Sequence, residues 1–272
     1  MELKVIDIDA LFEDYIKDYV YKSLGKLKPD EIEDKIPELY SKFGKEKLEE
    51  LGGACPDEYY KNFTPEENVE ILKEHIEKNV SVSDFLCEAL QQQGSESALL
   101  NAVMETENEQ LLCYLINILN DKGVKVPVNR YIEFVFYDYP ENLRELATES
   151  LYPFADEVSS RIIEEYANLE EDKKECAVDI LSHAKVKKDE IFDILISAFA
   201  KNPSKIALYS GFLAKYGDER ALAFLYSKIE EEGLNYADFE ELRFAIEALG
   251  GEYVKEKDFS KDKIFKKIKN VK

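Results

Sequence analysis

Three pairs of charged residues sit four positions apart in the second half of the chain: Glu145 with Glu149, Glu175 with Asp179, and Arg243 with Glu247. On an α-helix that spacing puts both members of a pair on one face, one turn apart. Neighbouring helices would join the pairs into a ladder, a mainly acidic wall interrupted by Gly211 and Arg243. Such a wall suits recognition of a basic peptide or protein segment, with strong salt dependence. The same residues also fit the polar halves of ordinary amphipathic helices. Catalysis does not follow from their spacing, because a chain with 58 acidic residues makes many such pairs by chance. A second group is aromatic. Tyr131, Phe134, Phe136, Tyr137 and Tyr139 crowd one short stretch, more than a single buried stripe absorbs, so Tyr131 and Tyr137 are candidate interface anchors. Core packing between adjacent helices is the competing use of those rings.

The remaining chemistry-bearing residues are sparse. The two histidines, His75 and His183, are far apart, and neither has a glutamate three positions ahead as a helical-bundle metal site requires. His75, in LKEHIEK, is expected on a solvated face, and His183 at a helix C-terminus where partial positive charge is favourable. Cys55, Cys87, Cys113 and Cys176 contain no CxxC pair for zinc or redox work, and the last three fall on apolar helix faces as small buried hydrophobes. Phosphate-binding glycine loops, GxSxG and HExxH are missing. No catalytic residue, cofactor or metal is therefore expected, and a non-catalytic protein is favoured over an enzyme.

Charge narrows the partners. Against 36 lysines and arginines stand 58 aspartates and glutamates, a formal net charge of -22, which repels nucleic-acid phosphates and anionic lipid over most of the surface. The opening residues MELKVIDIDALF lack the basic start and unbroken apolar run of a signal peptide. Nothing approaches the ~20 apolar residues of a membrane span. A cytoplasmic protein that binds protein or peptide, and not nucleic acid, is the expectation.

Helices must position these residues. Leucines recur at Leu119, Leu151, Leu181, Leu213 and Leu249, and one helical turn before them stand Leu115, Ala147, Ala177, Tyr209 and Ala245. The same buried stripe is thus rewritten every thirty-odd residues. The periodicity predicts first helices near 97–105, 128–137, 156–167, 189–200 and 219–231. Second helices, which carry the leucines, are predicted near 109–121, 142–152, 171–184, 204–216 and 237–249. Short linkers make each pair antiparallel, and pairs that cannot cover their own apolar faces stack into an α-solenoid. Upstream, helices are expected near 8–22, 30–43, 65–78 and 83–92, with Pro37 interrupting the second. Thr64-Pro65-Glu66-Glu67 reads as a capping box with proline at the first helical position.

The segment Phe212-Leu213-Ala214-Lys215-Tyr216-Gly217-Asp218-Glu219-Arg220-Ala221, followed by FLYSKIEEE, resembles the HEAT class of armadillo-like repeats. In that class a small-rich helix ends in Leu-Gly-x-x-Gly-Asp and the next begins at Arg-Ala. Gly217 suits a left-handed C-cap and Asp218 an N-cap. Phe244-Ala245-Ile246-Glu247-Ala248-Leu249-Gly250-Gly251 repeats the helix ending, whereas the turns after Leu119, Leu151 and Leu181 lack the Gly-Asp pair. The resemblance implies an all-α, right-handed α-solenoid of about five antiparallel pairs, with second helices lining a concave surface. It is good over about 200–251 and fair from 97. It implies a scaffold for protein binding. The alternatives are an enzyme on the same scaffold, such as the HEAT-like DNA glycosylases, which the acidic charge disfavours, or an acidic nucleic-acid mimic.

Three regions result: a helical N-terminal extension or cap at 1–95, HEAT-like repeats at 96–253, and a basic amphipathic segment at 254–272. In the last, Phe259, Ile264, Phe265, Ile268 and Val271 can share one apolar side if helical, and docking on the final repeat is expected.

Overall fold

The computed structural model describes residues 4–23, 29–92 and 94–269, and those residues contain helices and no strand. They form two compact units, Met1–Pro127 and Val128–Lys272. Val271 and its neighbours from 270 onward lie outside the described residues.

In the first unit the helices are α1 (Ile8–Ser23), α2 (Pro29–Glu33), α3 (Ile36–Phe43), α4 (Pro56–Tyr59), α5 (Pro65–Glu77), α6 (Asp84–Gln92), α7 (Glu96–Glu105) and α8 (Glu109–Lys122). Helix α5 begins as its sequence dictates. The Thr64 hydroxyl accepts from Glu67 N, and the Glu67 carboxylate accepts from Thr64 N at 2.8 Å. The helix expected over 30–43 is split, and Pro37 sits in the first turn of α3. Helix α4 is not foreseen from periodicity, being too short to show one; Pro56 supplies its start. Helix α8 packs on α5, α6 and α7, so the first expected pair, α7 with α8, falls within this unit.

His75 is not on a solvated face. It is fully buried, and its Nδ1 lies 2.6 Å from the Ser81 carbonyl oxygen. Asn68, Ile71, Leu72, His75 and Ile76 make one continuous buried stripe of α5, at helical spacing. The apolar face is therefore wider than the isoleucines and leucine alone suggest, and it takes in the imidazole.

The second unit contains α9 (Val128–Phe136), α10 (Glu141–Leu151), α11 (Ala155–Glu165), α12 (Glu171–Ser182), α13 (Asp189–Lys201), α14 (Ile206–Tyr216), α15 (Leu222–Ile229), α16 (Tyr236–Ala248) and α17 (Lys263–Lys269). Each second helix packs on its own first helix: α10 on α9, α12 on α11, α14 on α13, and α16 on α15. The second helices also pack in sequence, α10 on α12, α12 on α14 and α14 on α16. Leu151, Leu181, Leu213 and Leu249 are buried, as are Ala147, Ala177, Tyr209 and Ala245 one turn earlier. The recurring stripe is thus the seam between layers. Gly217 closes α14 with φ 72°, where its N–H donates to Leu213 O, and Asp218 accepts from Arg220 N at 3.0 Å to start the turn into α15. Arg220 ties that turn back to α13 through Asp189, at 2.7 Å.

At the C-terminal end the apolar residues do not share one side. Phe259 lies before α17, and Phe259 and Phe265 pack on Tyr236 of α16, whereas Ile264 and Ile268 are exposed. A helix of seven residues is too short to bring Phe259 onto its face.

Candidate functional site

Two adjoining clefts, about 320 and 360 Å³, open where α10, α12 and α14 meet. Both are bordered by Glu145, Glu175 and Cys176, and the second adds Glu149 and Asp179. The second helices therefore bring four of the sequence-predicted residues together. The cause is the seam itself: with Leu143, Ala147 and Leu151 turned inward, Glu145 and Glu149 fall beside the buried stripe on the open side of α10. Leu181 and Ala177 place Glu175 and Asp179 in the same way on α12.

The carboxylates are not equivalent. Lys205, just before α14, forms an ion pair with Glu175, whose Oε2 also lies 3.5 Å from the Tyr209 hydroxyl. Asp179 accepts a hydrogen bond from Tyr152 at 2.6 Å, and Lys215 Nζ stands 3.6 Å away. The Tyr152 ring stacks on His183, with centroids 3.7 Å apart, and Lys215 Nζ lies 3.1 Å from His183 Nε2. Arg144 turns to Asp172 at 2.6 Å. Glu145 and Glu149 are exposed, and among the described residues no lysine or arginine forms an ion pair with either.

Protonation states follow from these neighbours. Burial, then the Lys215 charge, lowers the His183 pKa against the opposing pull of Asp179. Burial, then the hydrogen bond to Asp179, raises the Tyr152 phenol. Burial raises the Cys176 thiol, which disfavours the thiolate needed for nucleophilic chemistry. The cleft can hold a cation by charge and hydrogen bonding. Among the described residues no three His, Cys, Asp or Glu side chains group as a metal site, and no helix is long and apolar enough to cross a membrane.

A third groove, about 520 Å³, runs between α14 and α16. Its border includes Leu208, Gly211, Phe212, Phe244 and Ala248, and Leu208 and Phe212 also border the second acidic cleft. Phe244 is 64% exposed. On α16, Phe244 and Ala248, rather than Arg243 and Glu247, border the groove. Arg243 pairs with Glu240 at 2.6 Å. Sequence reasoning missed this groove, although α14 reads IALYSGFLAKY, apolar on nearly every side, which leaves one apolar face for something other than its own seam.

The aromatic candidates separate. Tyr131 is fully buried and belongs to the core, with Phe134 6.0 Å away, whereas Tyr137 is 53% exposed and borders a different cleft beside Leu169 and Lys173. Helix α9 absorbs Tyr131, Phe134, Val135 and Phe136 because it is covered by α10, α11 and α12 at once.

Compared with family models, curated proteins and solved structures, the chain matches none. The class is thus defined by the architecture and the site alone: an all-helical protein whose second unit opens an acidic cleft across successive packed helices.

Proposed function

We propose that the second unit is a HEAT-like, right-handed α-solenoid that acts as a non-catalytic interaction module in the cytoplasm, binding a basic peptide or protein segment across its second helices. The observation that carries this reading is the state of Glu145 and Glu149: two exposed carboxylates one turn apart at an open cleft, with which no lysine or arginine among the described residues forms an ion pair, while neighbouring Glu175 and Asp179 are paired. Two charges left in this way are a ready partner for lysine or arginine, and the net charge of -22 steers such a partner inward. The repeated packing of α10, α12, α14 and α16, with Gly217-Asp218 at a junction, supports the solenoid.

Fluorescence anisotropy with a lysine-rich peptide tests it. Each exposed carboxylate contributes up to about 1 kcal/mol, so Glu145→Lys with Glu149→Lys should weaken binding by about tenfold or more at low salt. Equal binding by wild type and the double variant would overturn the proposal.

A further inference from the structure

The acidic clefts and the apolar groove share borders. Glu145, Glu175 and Cys176 join the first cleft to the second, and Leu208 and Phe212 join the second to the groove. One track therefore crosses the second helices, charged over α10 and α12 and apolar over α14 and α16. Its apolar half is not incidental surface. Leu208 is 39% and Phe244 64% exposed, on adjacent helices, and between them the floor is kept low by Ala207, Gly211, Ala214 and Ala248. A Cβ built on Gly211 meets nothing within 4 Å, so the space beside it is open. Large exposed apolar side chains walling a floor of small ones form a slot for another apolar side chain.

We infer that the partner segment has two parts: a cluster of lysine or arginine that meets Glu145 and Glu149, followed by large apolar side chains that enter the slot between Leu208, Phe212 and Phe244. This deepens the reading above and rests on it. Charge complementarity sets the order of the two parts along the track, since the carboxylates without ion pairs are on α10 and the apolar walls are on α14 and α16. Packed helices lie about 8–10 Å apart, so the slot between α14 and α16 is two and a half spacings from α10, roughly 20–25 Å, which an extended segment spans in about seven residues. The occupant is a segment of another protein. The apolar contribution is not screened by salt, whereas the ionic one is.

Two fluorescent peptides of equal length and equal lysine content test this. One is otherwise glycine and serine; in the other, leucine and phenylalanine follow the lysines at the stated spacing. The mixed peptide should bind about tenfold tighter, as expected for partial burial of two large side chains, and should keep that advantage as salt is raised. Gly211→Leu, which fills the slot from a helical position with free space, and Phe244→Ala, which removes a wall that is mostly exposed, should each bring the mixed peptide down to the affinity of the lysine-only peptide. Circular dichroism of both variants verifies the fold. Equal affinity of the two peptides, or a mixed peptide indifferent to both variants, would overturn the two-part track while leaving acidic recognition standing. Failure of both peptides to bind would overturn the acidic reading and this one with it. Sedimentation of the full chain adds a further outcome: self-association abolished by Gly211→Leu would make a second copy the occupant and overturn the assignment to another protein.

Discussion

Gly211 and Gly217 sit six positions apart on the same helix and its cap, and replacing each by alanine should shift stability in opposite directions. Gly211 lies inside α14 with helical backbone, and a Cβ there meets nothing within 4 Å. Alanine should therefore stabilise the second unit by about 1 kcal/mol, the difference between the two residues in a helix interior, with no packing cost to set against it. Gly217 has φ 72°, and its built Cβ makes only ordinary contacts, the nearest at 3.9 Å. The penalty there is conformational rather than steric: about 1–2 kcal/mol for holding an L-residue in the left-handed region. The two alanine variants should thus differ by about 2–3 kcal/mol. Urea unfolding followed by far-UV circular dichroism reads this as midpoints moving in opposite directions at unchanged slope. In thermal scans 1 kcal/mol corresponds to a few degrees in Tm, roughly 4 °C for a unit of this size. A loss of stability at Gly211→Ala would refute the placement of that residue on an open helical face. A neutral Gly217→Ala would refute its role as the left-handed cap.

Burial lowers the His75 pKa, so the unfolded chain takes up a proton that the native chain resists, and stability falls as pH drops below about 6.5 toward the native value. His75→Gln should flatten urea midpoints measured across that window. Leu181→Ala, at a fully buried marker position, should cost about 2–5 kcal/mol by chemical denaturation; a cost below 1 kcal/mol would contradict its place in the seam. Gly251→Ala would bring a methyl within 2.6 Å of the Tyr226 hydroxyl and 2.8 Å of Ile246 and Leu222 side-chain carbons, and should cost about 1–3 kcal/mol in the same assay.

Local rules explain why the helices of the second unit were legible. Caps, proline positions and a buried stripe repeating every thirty-odd residues are properties of a few consecutive residues, and α9 to α16 lie within a few positions of the predicted ranges. His75 shows where that reasoning stops. A polar residue at the margin of an apolar stripe is solvated or buried according to what packs over it, and here its stripe meets α6, α7 and α8. Tyr131 and Tyr137 divide for the same reason: one is covered by three helices, and the other lies just past the end of α9.

By itself, then, the sequence determined the helical periodicity, the junction at Gly217-Asp218 and the face on which Glu145, Glu149, Glu175 and Asp179 lie. Only the tertiary structure decided which of those acids stay open. Lys205, at the start of the next helix in the row, and Lys215, within it, reach Glu175 and Asp179 from 30 or more residues away in sequence, while among the described residues no lysine or arginine forms an ion pair with Glu145 or Glu149. It alone also left Leu208 and Phe244 uncovered. Helix faces are set by bonds within one turn, but charge neutralisation and exposure are set by neighbours that only folding brings near.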